Sequence, residues 1–403
     1  MIPTILFGKK ILVGVTGSIA IYKSLELIRL FIKAGATVKV LMSEEAKRFI
    51  TPLTFEAISQ NEVLHVSTES WSNELNHIQI GKWADIFVIA PITANTINKI
   101  AHGIADNLLT QSVIAYVKPI VIAPSANTNM MLNALTQESL SKLAHNGMHI
   151  VAPQTKLLAC NDEGMGALAD VETIFYQSAT VLLEDAFWKG REVIITGGGS
   201  IEKIDDVRCI SNFSSGKQAY SLALAYYLKG AHVTLISSSE MDSKLPISFL
   251  HVKSSQEFKH ALETSLQLAK FNDSEPLVLM AAAISDYIPK SAHAGKLKKE
   301  KLGDTMSLEL VLNEDILAKL DKTGIKVIGF KAEMDETTAL ESAQKMLTNK
   351  GLHAVCLNIL GEENSFGSHK NTIHFITPKN TTKIPLALKF DIAQKIVELS
   401  KNV

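Results

Sequence analysis

Cysteine is scarce: the 403-residue chain has three, Cys160, Cys209 and Cys356. Their odd number and wide separation predict no disulfide framework and fit a reducing, cytoplasmic compartment. Neither sign of charge dominates, because 40 Lys and Arg face 41 Asp and Glu, a formal net charge of −1. That balance excludes a nucleic-acid partner held by an overall basic field and leaves room only for local basic sites. No apolar run reaches the roughly 18 residues of a membrane span. Met1 to Gly8 lacks the basic-then-apolar order of a signal peptide, so none is expected. CxxC pairs and HExxH are missing, which argues against a zinc site of standard spacing. There is no GxxxxGK[ST] and no complete GxGxxG, so P-loop and standard NAD-binding readings are weak.

What the chain does have is aliphatic residues. Hydrophobic residues make up 46% and charged residues 20%, with only 6% aromatic. Such a chain buries sizeable cores, and its Ala, Ile, Leu and Val suit α/β architecture better than an all-β sandwich. The length suggests about two or three domains.

The sequence starts twice on one plan. The run Lys9 to Val15 ends in the small turn Thr16-Gly17-Ser18. A helical pattern follows from Ile19 to Ala34, and after Gly35-Ala36 comes the strand pattern Thr37 to Met42. Residues 191–238 repeat this: Val193 to Thr196, then Gly197-Gly198-Gly199-Ser200, an insertion, a helix from about Lys217 to Leu228, and a strand from Val233. Further apolar runs at Ile86 to Ala90, Ile120 to Ala123, Leu277 to Ala282 and Val327 to Phe330 complete two open parallel sheets. Ligands would sit beyond the carboxyl ends of their strands. Each glycine turn on its own fits a tight connection without a ligand as well as a binding loop. The boundary is placed near Phe187-Trp188-Lys189-Gly190, where no Pro/Ser-rich linker marks it.

In the first half, three polar segments follow strand patterns or connect them: Pro91 to Thr96, Ala123 to Met131, and the glycine-rich loop Leu158 to Gly166 with its one thiol. The hydroxyls, amides and N–H groups of the first could hold a phosphate or a heterocycle edge. A His, an Asn and a Cys on separate loops can make an acid–base site, although each alone is more often a packing or surface residue.

Residues 9–181 resemble the flavin-dependent cysteine decarboxylases, and most closely the phosphopantothenoylcysteine decarboxylase half of the bacterial bifunctional coenzyme A enzymes. The motifs carrying this are Gly14 to Lys23 (GVTGxIAxYK), FITPLTFEAIS at Phe49 to Ser59, His77-Ile78 with Trp83-Ala84-Asp85 (HIxLxxWAD), and PITANT for the family's PASANT. The resemblance implies bound FMN, with contacts from Gly17, Ser18, Ser43, Thr93, Asn95 and Thr96. It implies His77 as the base that assists oxidation of the substrate thiol to a thioaldehyde. Asn127 would hold the carboxylate that leaves as CO2, and Cys160, on a substrate flap, would donate a proton. Ala126 and Met131 replace Met and an aromatic residue of the PxMNxxMW segment, and Ala167 stands where the flap usually has Arg.

In the second half, Arg208 and the turn Ser214-Ser215-Gly216-Lys217 offer donors and cations suited to phosphorylated ligands. The run from Lys296 to Lys301 is either a solvated surface loop or, given its place after Asp286, a triphosphate-neutralising one. From about residue 190 the chain resembles phosphopantothenate–cysteine ligase. VIITGGGSIEKIDDVRCISNFSSGK is similar to VLITAGGTxExIDPVRxISNxSSGK, AAAISDY to AAVADY, KLKK to KxKK, and Gly329 to Glu333 to GFAAE. The resemblance implies CTP and Mg2+, with Lys296 on the triphosphate and Asp286 holding nucleotide and metal. Asn212 and Arg208 would bind the acyl-cytidylate. Ala282, Asn313, Glu314, Asp315, Ile316, Phe330 and Lys350 would frame the nucleotide, and Ser214, Ser215 and Lys217 would contact phosphorylated ligand. Met346 and His353 depart from the family's KLxxKGxD segment, and Leu357-Asn358-Ile359 from its AND triplet.

The expectation is therefore an α/β protein of two Rossmann-like domains with mainly parallel sheets, the N-terminal one flavodoxin-like. Residues 1–188 would be the FMN-dependent decarboxylase and 189–403 the ligase. Together they would convert 4′-phosphopantothenate, cysteine and CTP to 4′-phosphopantetheine. No nucleic-acid or membrane partner is expected, and the resemblance implies a cytoplasmic homo-oligomer, a dodecamer. Two alternatives remain. One is a related flavoprotein acting on peptidyl cysteine, which the attached ligase half speaks against. The other is a flavin-binding regulatory or scaffolding module whose decarboxylase half is impaired beside an active ligase.

Overall fold

The computed structural model describes residues 3–72, 75–157, 163–240, 245–269, 274–298, 305–361, 365 and 367–403. The chain divides into two compact units, Met1–Leu183 with Lys244–Pro246, and Glu184–Ser243 with Ile247–Val403.

The first unit runs β1 (Lys10–Val15), α1 (Tyr22–Lys33), β2 (Thr37–Met42), α2 (Pro52–Ser59), α3 (His77–Trp83), β3 (Ile86–Ile92), α4 (Ala94–Ala101) and α5 (Leu108–Ala115). It continues with β4 (Ile120–Pro124), α6 (Thr128–Leu132), α7 (Ala134–His145), β5 (His149–Ile150), β6 (Gln154–Leu157), β7 (Glu163–Ala167) and α8 (Val171–Leu183). The sheet order β2-β1-β3-β4-β5 is parallel throughout, with Val13 opposite Val40 on one side and Val88 on the other. Every residue of β3 and β4 is buried, as strands covered on both faces require. Helices contribute one apolar stripe each, such as Leu27, Ile28 and Phe31 of α1. The order reverses between β1 and β3, which opens a crevice at their carboxyl ends.

Leu158 to Gly166 is not a simple glycine-rich loop. β6 and β7 pair antiparallel, with Lys156 opposite Gly164, so the flap's described part is a hairpin. Residues 158–162, and with them Cys160, lie outside the described residues.

The second unit runs β8 (Glu192–Gly197), β9 (Ile201–Lys203), β10 (Cys209–Ser211), α9 (Lys217–Leu228), β11 (His232–Ser237), β12 (Ser248–His251), α10 (Ser255–Ala269), β13 (Leu277–Met280), β14 (Tyr287–Pro289) and β15 (Leu310–Leu312). Then come α11 (Ile316–Lys319), β16 (Lys326–Glu333), α12 (Glu336–Asn349), β17 (Ala354–Ile359), β18 (Lys370–Ile376), β19 (Thr381–Leu388) and α13 (Lys389–Leu399). The main sheet has the order β12-β11-β8-β13-β16-β17-β18-β19. Its first six strands are parallel, and β18 and β19 extend it antiparallel. Here the order reverses between β8 and β13. The insertion after β8 is also a hairpin, β9 with β10, Ile210 opposite Glu202.

Trp188 and Tyr226 meet edge to face at 4.9 Å, and the Tyr226 hydroxyl is hydrogen-bonded to Ser400 Oγ at 2.7 Å. That cluster ties the start of this unit to its last helix. Among the described residues no helix is long and apolar enough to cross a membrane. Cys209 and Cys356 are free thiols, and burial pushes the Cys356 thiol up.

Candidate functional site

The first crevice is built from strand ends. Thr16, just past β1, is buried, and its Oγ1 donates to Pro91 O at 2.9 Å while accepting Thr93 N–H at 3.0 Å. One hydroxyl therefore locks the turns after β1 and β3 together. Ser18 Oγ donates to Ser125 Oγ at 3.3 Å, which joins the turn after β4 to the same cluster. Thr93 caps α4, accepting Thr96 N–H at 3.4 Å, with the two hydroxyls 3.1 Å apart and Asn95 exposed beside them. Ser43 caps the short turn of helix at Glu44–Arg48 in the same way. A Cβ on Gly17 would lie 2.7 Å from Glu45 Cβ, so only glycine lets these two turns close up. Hydroxyls, amides and helix-start N–H groups thus converge on the switch point, a donor set suited to a phosphate and a flat heterocycle.

The Thr16 lock makes a prediction. Thr16→Val keeps the shape but leaves the Thr93 N–H without its acceptor and Pro91 O with only the Thr16 N–H at 3.2 Å, a loss of about 1–3 kcal/mol. The first unit should melt lower, by about 2–4 °C per kcal/mol; an unchanged melting curve would contradict the lock.

His77 opens α3, and the buried Asn76 before it caps the helix by accepting Ile78 and Gln79 N–H. A helix that feeds a parallel strand begins at the sheet's carboxyl edge, so His77 lies on the crevice side of the unit. Its Nδ1 is 2.7 Å from Glu69 Oε1, and its ring stands edge-on to Trp71 at 5.6 Å. In the tautomer whose Nδ1–H donates to the carboxylate, Nε2 is the nitrogen left to accept a proton. Sequence reasoning missed Glu69 and Trp71.

Asn127 caps α6, accepting Asn129 N–H at 2.9 Å. The hairpin sits directly on this turn: Ala126 N–H donates to Gly166 O at 3.0 Å, and a Cβ on Gly164 would overlap Thr128 Oγ1. Thr128 Oγ1 is buried without a hydrogen-bond partner among the described residues. The described contacts bring Ser18, Thr93 and Ser125 together, and Asn127 under the flap, but do not join His77 to either group.

In the second unit, Ser214, Ser215, Lys217, Ala282 and Phe330 line one cavity of about 190 Å³. Lys331 and Asn358, named above only as members of motif segments, line it too, as do Asn371 and Lys389, which sequence reasoning missed. Burial and the neighbouring Lys217 push the Lys389 ammonium below its ordinary range, a strain that an anionic ligand relieves. Asn212 Nδ2 donates to Ala283 O at 3.0 Å, which places it at the switch point between β8 and β13. Asn313 Nδ2 donates to Ser285 O at 2.8 Å and its N–H to Asp286 O at 2.7 Å. Asp286 itself is exposed.

Other expected residues are engaged elsewhere. Glu314 pairs with Lys259 at 2.8 Å, which holds its carboxyl below the usual range, and Lys350 pairs with Asp315 at 2.7 Å. Glu314 and Ile316 line a different cavity, with Leu262 and Leu266 of α10. Arg208 donates Nε and Nη2 to Asp205 Oδ2, at 3.0 and 2.6 Å, and Nη2 also reaches Leu297 O at 2.8 Å. Lys296 is exposed on the adjoining segment. Among the described residues no group of three His, Cys, Asp or Glu side chains could hold a metal ion.

Comparison with known proteins matches the two halves of the chain to two different family models. Residues 4–182 match the family model described as Flavoprotein, and residues 188–402 match that of the DNA/pantothenate metabolism flavoprotein C-terminal domain. The chain is 34% identical over 407 residues to the coenzyme A biosynthesis bifunctional protein CoaBC of Vibrio parahaemolyticus, covering 98% of this chain and 99% of that one. It is 34% identical over 409 residues to the protein of the same name from Bacillus subtilis, covering 98% of each. A crystal structure of the C-terminal domain of a CoaBC protein, 27% identical, covers 54% of this chain and 97% of its own with a TM-score of 0.44. The chain belongs to the family of coenzyme A biosynthesis bifunctional proteins, flavoprotein decarboxylase joined to ligase.

Proposed function

We propose that residues 1–188 decarboxylate 4′-phosphopantothenoylcysteine with FMN and that residues 189–403 make that substrate from 4′-phosphopantothenate, cysteine and CTP. What supports this reading is the pair of topological switch points, one per unit, with Ser18, Thr93 and Ser125 gathered at the first and Asn212 at the second.

In the ligase, the carboxylate of 4′-phosphopantothenate attacks the α-phosphorus of CTP and pyrophosphate leaves. The cysteine amine then displaces CMP, forming the amide. Such substitutions are catalysed mainly by positioning and charge stabilisation. Ser214, Ser215, Lys217 and Lys389 offer donors and cations to phosphate oxygens, Phe330 and Ala282 pack on the base, and Lys296 meets the triphosphate. The exposed Asp286 carboxylate would be the protein group to hold Mg2+, which would supply neutralising charge to the triphosphate. Asn212 orients the acyl-cytidylate for the amine.

In the decarboxylase, Gly17, Ser18, Ser43, Thr93, Asn95 and Thr96 would hold FMN, and the Gly17 gap and hydroxyl cluster fit that group. When bound, FMN supplies a reversible two-electron acceptor for the substrate thiol. The His77 imidazole takes the thiol proton at Nε2 while Glu69 fixes Nδ1. Asn127 orients the departing carboxylate, and Cys160 returns a proton. The protein would work in the cytoplasm as a homo-oligomer, with the family's dodecamer as the expected form.

Nucleotide exchange tests the ligase reading. Pyrophosphate should form from 4′-phosphopantothenate and cysteine with CTP, far more slowly with ATP, and not after EDTA. Equal rates with ATP would overturn the nucleotide assignment.

A further inference from the structure

The turn between β9 and β10 is folded around one carboxylate. Asp205 Oδ1 accepts Val207 and Arg208 N–H at 2.8 and 2.7 Å, and Oδ2 accepts Arg208 Nε and Nη2. The side chain is buried, and the Arg208 hydrogen bonds hold its carboxyl well below the usual carboxylate range. What lies against this turn is the segment that carries Lys296. His293 N–H donates to Ile204 O at 3.0 Å, Gly295 N–H to Asp206 Oδ2 at 2.7 Å, and Leu297 N–H to Asp205 Oδ2 at 3.1 Å. Arg208 Nη2 closes the set on Leu297 O at 2.8 Å. Every second residue, 293, 295 and 297, is thus attached, and both neighbours of Lys296 are fixed while its own side chain stays exposed.

We infer that Asp205 and Asp206 form a two-carboxylate clasp that positions Lys296 for its ligand, an inference that rests on the reading of Lys296 as a triphosphate-binding cation. The same turn continues through β10 into Asn212 at the switch point, so the clasp sets the two groups relative to each other. Asp206 is this chain's own contribution, since the IDPVR pattern has Pro where this chain has Asp. Asp205 and Asp206 are positioning residues, because neither needs to touch substrate.

Asp206 is exposed, so Asp206→Ala removes one clasp bond without emptying a core. In the full chain, the KM for CTP in pyrophosphate formation should rise about tenfold, the worth of one hydrogen bond to a charged group, with kcat little changed. The Gly295 amide should exchange its hydrogen faster, and the melting temperature should hold. Asp206→Asn keeps an acceptor oxygen and should restore both KM and exchange. Asp205→Asn should act in the same direction and more strongly; if it fails to fold, the Asp206 pair still decides. An active wild type with Asp206→Ala unchanged in KM or in exchange would overturn the clasp alone. A wild type that forms no pyrophosphate from CTP would overturn the functional reading beneath it.

Discussion

Replacing His77 by Asn should abolish CO2 release and leave pyrophosphate formation intact. Asn has similar width and can still hydrogen-bond Glu69, so α3 and its Asn76 cap should remain. What it lacks is a nitrogen that takes and returns a proton, and such groups contribute roughly 10²- to 10⁴-fold to rate. The two switch points belong to separate units, so the ligase has no reason to respond. Pyrophosphate should therefore accumulate together with the acyl-cysteine product. Loss of both activities would contradict independent sites; retained CO2 release would remove His77 from the chemistry. Glu69→Gln is a milder companion that keeps the contact but loses the charge opposite Nδ1.

Gly166→Ala should cost nearly as much in the same half-reaction. Gly166 has φ of +147°, a region that side-chain-bearing residues rarely enter, and its added Cβ would overlap Ala126 O. The strain alone is about 1–3 kcal/mol, and the overlap must lift the β6–β7 hairpin from the Ala126–Thr128 turn. A displacement of about 1 Å at a reacting centre lowers rate on the order of 10²-fold. CO2 release should fall by that amount with pyrophosphate formation unchanged. Gly147→Ala is the control: φ is +86°, yet nothing lies within 4 Å of the added Cβ. It should strain the backbone and leave CO2 release alone. Equal losses in both variants would mean that general destabilisation, not flap seating, is being measured.

These effects fall on residues of unequal legibility. β3, β4 and their counterpart β13 were readable because fully covered parallel strands are unbroken apolar runs, and β1, β2, β8 and β11 because their buried apolar ends run into small turn residues. The two hairpins were not. Glu163 to Ala167 has glycine at two of its five positions, and Ile201–Lys203 is too short to show alternation. Both therefore pass for loop. Motif residues such as Ser18, Thr93 and Asn212 were named from a pattern, and the structure supplied their partners. Glu69 meets His77 across a turn that no periodicity marks. Lys389 reaches its cavity only because β18 and β19 extend the sheet antiparallel and return the chain to α9. Arg208 was read as a ligand donor from its type. Its bond to Leu297, 89 residues away, makes part of it a structural anchor, and no sequence window contains both ends.

The central claim is that one chain makes and then decarboxylates the same thiol intermediate, and carboxyl-labelled cysteine tests it most directly. With 4′-phosphopantothenate, CTP and Mg2+ present, label should leave as CO2 in step with pyrophosphate, mole for mole after a lag. Withholding CTP should stop both. Pyrophosphate without labelled CO2, or labelled CO2 without CTP, would contradict the account.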